Sequence, residues 1–512
     1  MTLLNICIAL PAAGFVASLF IPREKPAWSR VFALAVSLGV FAASLGLVFA
    51  FQEEAAGWQF VTDVSWISSP AIRYHVGLDG VSLWLVILST LLTPIGVLVS
   101  WKHIDKRVKE FYAFLLLMES GLIGVFVALD LFLFYVFWEV SLVPMYFLIG
   151  IWGHERRIYA AVKFFLYTMA GSVLMLAAII WLYVQANTFD YVRLMDALTS
   201  GRLNLGSAET LLFLAFFFAF AIKVPLFPLH TWLPDAHVEA PTAGSVILAS
   251  VMLKMGTYGI LRFCLTMFPQ ASREAAPWVV TLAIVGIIYG ALVAMVQPNM
   301  KTLVAYSSVS HLGFVVLGIF TFTQWGLDGA VYQMLNHGIS TGALFMLVGY
   351  MYERRHSLAI ADYGGVATPA PALAAVFMIT TLASIGLPAL NNFVGEYLVL
   401  QGAAQANFRW AVFAAIGVIL SACYMLWLYQ RAFFGEASEP VKGHLTDLNS
   451  REWAAIAPLI LLMVWMGTAA QTFLPPISAA NARILDRARQ GIEYHVKATP
   501  APVPLREISH AR

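Results

Sequence analysis

FAFAIKVPLFPLHTWLPDAH, residues 218–237, begins as membrane-spanning sequence and then breaks its own pattern. The apolar run LLFLAFFFAFAI ends on Lys223, and Pro225, Pro228 and Pro234 follow, interleaved with His230, Asp235 and His237. Proline removes a backbone donor and frees a carbonyl. Irregular backbone at membrane depth is tolerated only where it is buried in protein or lines a wet cavity. The stretch therefore predicts a transmembrane helix broken beside a lysine that faces a hydrated interior.

The rest of the chain supplies the membrane. Of 512 residues, 60% are hydrophobic and 11% charged, against about 25% charged in soluble domains. Apolar runs of 18 or more residues recur throughout, each long enough to cross about 30 Å of hydrocarbon. They predict an all-α polytopic membrane protein with about fourteen spans, and the alternating segments of a β-barrel are absent from the pattern. Cys7, Cys264 and Cys423 are scattered and support neither a disulfide framework nor an iron–sulfur site. No dinucleotide fingerprint or P-loop is present. A net charge of +2 gives no basis for nucleic-acid binding. The first twenty residues lack a basic leader region and read as a retained span.

Loops after odd-numbered spans carry the basic residues, among them Arg23, Lys25, Lys102, Lys106, Arg107, Arg156, Arg157, Arg354 and Arg355. The positive-inside rule then places these loops in the cytoplasm and both termini outside. Asp130 divides a forty-residue apolar stretch and is suited to N-cap the fifth helix. A second interruption, GLPALNN at 386–392, lies in the twelfth span, five spans after the first. An odd repeat length inverts the second copy, so spans 4–8 and 9–13 read as two inverted five-helix repeats with broken helices 7 and 12. This divides the chain into a three-helix segment (1–110), a first repeat (111–268), a second repeat (277–435) and a last helix with a polar tail (436–512). The tail sequence ANARILDRARQGIEYHV suits an amphipathic surface helix.

Charges inside spans cost about 2.5–3.5 kcal/mol each on insertion scales. Five groups stand out: Glu139, Lys223, Lys254, His337 and Glu396. Each has a plainer reading. Glu139 can be interhelical glue, though Ser or Asn does that at lower cost, and Lys223 can snorkel to the interface. The stripe Ser250, Lys254, Thr257, Tyr258 can be polar packing, and a lone histidine is often a satisfied core residue. Gln333, Asn336, His337, Ser340 and Thr341 share one helical face, however, and a proton wire needs groups that both donate and accept. Neither His337 nor His311 has a partner at metal-ligand spacing. Taken together the five read as a proton or cation path. Glu119, Lys163, His230 and His311 are accessory candidates.

At these residues the chain resembles a known family. FAFAIKVPLFPLHTWLPDAHVEAPTAGSVILASVMLKMGTYGILR, with FYVFWEVSLVPMYFLIGIWG before it and YSSVSHLGFV after it, is similar to the antiporter-like subunits of respiratory complex I. Mrp-type sodium/proton antiporters and membrane-bound hydrogenases are related to these. The glutamate in NNFVGEY, where sibling subunits have lysine, marks one subtype. The resemblance implies that Glu139 modulates Lys223, that Lys254 and His337 continue the path, and that Glu396 opens to the outer side. It also implies that NADH, FMN, iron–sulfur clusters and quinone are bound by other subunits, with no cofactor on this chain. The implied partners are the lipid bilayer and neighbouring L- and N-type subunits of the membrane arm, in a bacterial inner membrane. Two rivals stay open: a free cation/proton antiporter, and a purely structural linker.

Overall fold

The computed structural model describes residues 2–53, 57–437 and 439–489. Helices α1 (Leu3–Ser18) and α2 (Pro26–Ala50) lead into an antiparallel hairpin, β1 (Gln59–Ile67) and β2 (Ile72–Leu78). There follow α3 (Gly80–Val99), α4 (Val108–Val127), α5 (Leu131–Trp152), α6 (Arg157–Ala186) and the short α7 (Tyr191–Thr199). The stretch that opened the sequence reading becomes α8 (Glu209–Lys223) and α9 (Trp232–Glu239). Helix α10 (Thr242–Met267) contains π-helical turns at Leu248–Met252 and Ile260–Cys264. The chain continues through α11 (Pro269–Met295), α12 (Met300–Ile319), α13 (Gln324–Arg355), α14 (Pro371–Ser384), α15 (Asn391–Ala406) and α16 (Phe408–Phe433). Helices α17 (Glu439–His444), α18 (Ser450–Thr468) and α19 (Leu474–Arg489) complete it. Among the described residues, ten helices are long and apolar enough to cross a membrane.

Side-chain caps set several of the helix starts. Asp130 accepts the N–H groups of Phe132 and Leu133, which makes the predicted cut between α4 and α5. Asp79, Asn299 and Thr323 cap α3, α12 and α13 in the same way. One face of the bundle carries the start of α1, the hairpin, α7 and α19, and is called the terminal face below. The opposite, basic face carries Arg156, Arg354 and the start of α14. The hairpin is a departure from the all-α expectation, formed between the second and third long helices. The polar tail begins as helix α19, tied down by Ser478 and Asn481 bonding to Asp328; the part from residue 490 onward lies outside the described residues.

The two halves share backbone detail. Leu131 N–H donates to Phe189 O and Tyr191 N–H to Leu129 O; in the second half Met300 N–H donates to Leu358 O and Ile360 N–H to Pro298 O. The two breaks match as well. Leu226 N–H reaches back to Ala221 O and Leu229 N–H to Leu226 O, just as Leu387 N–H reaches Leu382 O and Leu390 N–H reaches Leu387 O. Superposing the breaks sets Ser384 opposite Lys223 and Asp235 opposite Glu396. Lys223 thus precedes its break and Glu396 follows its own, so they are not position-for-position counterparts.

Candidate functional site

Lys223 is the last residue of α8 and is fully buried. Its Nζ lies 5.5 Å from the Trp138 ring centroid and 5.2 Å from that of Phe164, and has no hydrogen-bond partner among the described residues. The sequence predicted a hydrated surround; the immediate neighbours are aromatic faces, which attract a cation through the ring quadrupole. Glu139 lies one position after Trp138 on α5, half-buried, and acts on Lys223 through charge, without a direct ion pair. Gly256 of α10 makes the close approach possible: a Cβ there would lie 2.7 Å from Phe220 O at the end of α8.

Lys254 is fully buried in the middle of α10. Its Nζ donates to Ala249 O at 2.6 Å, a carbonyl of the π-helical turn, and lies 2.6 Å from His337 Nδ1 of α13. A π-turn disturbs the regular ladder and is frequent at functional sites. The His337 ring is 6.0 Å, centroid to centroid, from that of His311 on α12. His311 Nδ1 in turn meets Glu396 Oε1 at 3.0 Å, and Tyr424 OH lies 3.4 Å from its Nε2. Glu396 also accepts from Gln333 Nε2 at 3.1 Å. Gly386, at φ +77° in the break between α14 and α15, leaves room for Glu396 Oε2, which a Cβ would approach to 3.0 Å. Asn336 and Ser340, on the polar face of α13 read from sequence, bond to Asn391 O and Asn392 across the same seam.

Lys254, His337, His311 and Glu396 therefore form one buried line, while Lys223 and Glu139 stand beside it. Of the accessory candidates, His311 is in the line. Lys163 pairs with Asp235 at 2.7 Å. His230 is held among the rings of Phe227, Tyr289 and Tyr306. Glu119 is buried on α4 near Cys7 and Thr93, with no hydrogen bond to a member of the line among the described residues. Sequence reasoning passed over Lys301, Glu239 and His237, all buried. Lys301 lies at the edge of its apolar run, and only its burial in the first turn of α12 separates it from an ordinary interfacial lysine. A cluster of two carboxylates and an imidazole, Asp63, His75 and Asp190, is the one group with metal-ligand spacing among the described residues, and Arg73 already pairs with Asp63 there.

A many-helix bundle with two broken helices and a buried line of titratable groups defines an antiporter-like membrane protein. The chain belongs to the family described as NADH:quinone oxidoreductase/Mrp antiporter, transmembrane, whose model matches residues 128–422. It is 48% identical to NADH-quinone oxidoreductase subunit M of Rhodobacter capsulatus, over 91% of this chain and 93% of that one. It is 45% identical to the protein of that name from Rickettsia prowazekii (strain Madrid E), over 91% and 95%. Among solved structures, a chain of respiratory complex I from Thermus thermophilus with bound NADH superposes with a TM-score of 0.85 at 33% identity, covering 94% of this chain and 99% of that one.

Proposed function

We propose that this chain is the M-type, proton-translocating membrane subunit of an NADH:quinone oxidoreductase, a multi-pass protein of a bacterial inner membrane. The observation that carries the reading is the buried line from Lys254 through His337 and His311 to Glu396. Each member can hold or release a proton, and burying so many ionisable groups is unfavourable unless function requires them. The similarity to subunits named for NADH-quinone oxidoreductase supports the assignment over a free sodium/proton antiporter. The redox cofactors, NADH, FMN, iron–sulfur clusters and quinone, belong on this reading to other subunits.

The finer architecture is part of the proposal. Joining α8 to α9 and α14 to α15 as single interrupted spans gives fourteen crossings, and the matched backbone bonds support two inverted repeats, within 111–268 and 277–435. Residues 1–110 and 436–512 flank them. The basic face is then cytoplasmic and the terminal face, with both termini, is periplasmic. Quinone chemistry in the complex shifts a neighbouring L- or N-type subunit, and that shift acts through half-buried Glu139 on caged Lys223. The change in charge moves a proton along the line to Glu396 and out at the terminal face.

Native electrophoresis of solubilised membranes tests the assignment. The chain is expected in a large assembly with NADH dehydrogenase activity. Migration on its own, with sodium-dependent transport by the isolated chain, would overturn it in favour of the antiporter.

A further inference from the structure

The two histidines of the line differ in one respect. His337 meets Lys254 at Nδ1, and its Nε2 has no hydrogen-bond partner among the described residues. His311 is held at both ring nitrogens: Nδ1 faces Glu396 Oε1 at 3.0 Å, and Nε2 faces the Tyr424 hydroxyl at 3.4 Å. Tyr424 lies on α16 and is completely buried. Ser421, one turn earlier on that helix, donates from Oγ to the same hydroxyl at 3.3 Å. On the other side the hydroxyl interacts with Ser307 of α12, one turn before His311. Ser307 is buried as well, and its own hydrogen is given to Val304 O. A buried tyrosine hydroxyl commonly settles on a fixed partner. Tyr429 does so further along α16, donating to Ala374 O at 3.1 Å. Tyr424 has no backbone carbonyl among its partners in the described residues; it touches an imidazole nitrogen and two hydroxyls instead.

These partners can exchange donor for acceptor, and the chemistry of Glu396 requires that of one of them. A charged Glu396 only accepts, so a neutral His311 then carries its hydrogen on Nδ1 and leaves Nε2 as an acceptor. Tyr424 meets that acceptor by donating. Loading Glu396 reverses the roles. A proton is added at Nε2, the Nδ1–H bond breaks and an O–H bond forms on Glu396, so the pair gains one proton in all. The carboxylic acid now donates to Nδ1, and Nε2–H needs an acceptor. The tyrosine oxygen supplies it, turning its own hydrogen to Ser307 Oγ. The titratable groups facing His311 are Glu396 from α15, Tyr424 from α16 and His337 from α13. Of these, Tyr424 serves the ring in either state without gaining or losing a proton. Resting on the function proposed above, we propose that Tyr424 is a positioning residue for proton transfer to Glu396. Its hydroxyl keeps His311 aimed at the carboxyl and exchanges donor for acceptor as that carboxyl loads.

The test measures NADH-driven proton pumping against pH by the assembled complex in inverted membrane vesicles, with assembly checked by native electrophoresis. Tyr424→Phe keeps the ring and removes the hydroxyl. Buried N–H groups without acceptors are rarer than unfilled acceptors, so the loaded state loses more than the unloaded one. Pumping at neutral pH is expected to fall about threefold or more. Its pH profile is expected to move to the acid side by about 0.5–1 unit, while NADH oxidation by an artificial acceptor stays unchanged. Tyr429→Phe removes a hydroxyl from the same helix and is expected to leave the profile in place. Should Tyr424→Phe not assemble, the Ser307→Ala/Ser421→Ala double variant decides. It leaves the hydroxyl, removes its serine partners, and is expected to show the same acid shift. A wild-type profile in the deciding variant, a lower rate with no shift, or an equal shift in Tyr429→Phe overturns the proposal. If Glu396→Gln blocks pumping while the deciding variant behaves as wild type, the positioning role alone fails; if Glu396→Gln pumps normally, the reading of the line itself fails.

Discussion

Lys254 Nζ and His337 Nδ1 lie 2.6 Å apart in a site closed to solvent. At that separation there is room for one proton between two nitrogens, so one donates and the other must accept. Two adjacent cations in low dielectric would repel strongly. The pair behaves as a single proton-holding unit, fixed on one side by Ala249 O. It couples the first half of the chain, through α10, to the second, through α13.

A permanent cation at this position should therefore stop the relay. Lys254→Arg preserves charge and donors but stays protonated. NADH-driven proton pumping is expected to fall by about tenfold or more, equivalent to at least ~1.4 kcal/mol on the limiting step. Fluorescence quenching of a pH-sensitive dye in vesicles reads this directly, with NADH oxidation by an artificial acceptor unchanged.

The aromatic cage of Lys223 makes a second expectation. Phe164→Leu keeps apolar volume and removes one ring face, at a cost of about 1 kcal/mol in cation stabilisation. Coupled turnover is expected to fall about fivefold and the complex to remain assembled, because the ring touches the switch and not the line. Oxygen uptake with and without an uncoupler separates the two effects.

Backbone proximity at Gly256 is the third. A methyl group there meets Phe220 O at 2.7 Å and Val224 N at 3.0 Å, both backbone atoms that cannot turn aside. Gly256→Ala is expected to cost about 1–3 kcal/mol and to displace Lys223. Thermal denaturation of the purified complex and coupled turnover should both decline.

A fourth expectation concerns the loop before α18. Asp447 accepts the N–H groups of Ala372 and Leu373 in the first turn of α14, while Arg354 donates to its carbonyl. Burial alone would raise the Asp447 carboxyl, but the N–H groups of Ala372, Leu373 and Leu448, with the charge of Arg354, hold it below the ordinary aspartate value of 3.8. Its folded value is depressed, so its stabilisation is fully present above that ordinary value and lost as pH falls through the folded one. Asp447→Ala should cost about 1 kcal/mol at neutral pH and flatten the acid limb of stability. Hydrogen exchange at the start of α14, followed against pH, measures both.

What could be read before folding and what could not follow from the same physics. Apolar runs, the prolines of 225–234 and Gly386-Leu387-Pro388 announce spans and breaks locally, and the break positions match the helix ends at Lys223 and Ser384. Glu139, Lys223, Lys254, His337 and Glu396 stand out because charge in an apolar run is costly wherever it points. Partnership is not local. That His311 is the partner of Glu396, 85 positions away, needs the packing of α12 against α15. Lys301, Glu239 and His237 sit near helix ends, where polar residues ordinarily meet headgroups, and only their burial distinguishes them. The hairpin at 59–78 carries only a short alternation, Asp63-Val64-Ser65-Trp66, too brief to stand out beside twenty-residue apolar runs.

Glu396→Gln in the assembled complex is the most direct test of the line. Glutamine keeps the shape of the side chain and an oxygen for Gln333, and removes the titratable group facing His311. The measurement is protons pumped per NADH oxidised in inverted vesicles, beside the wild-type protein. A fall in that ratio, or a coupled rate too low to pump, is the predicted result. A wild-type ratio at a wild-type rate would contradict the account.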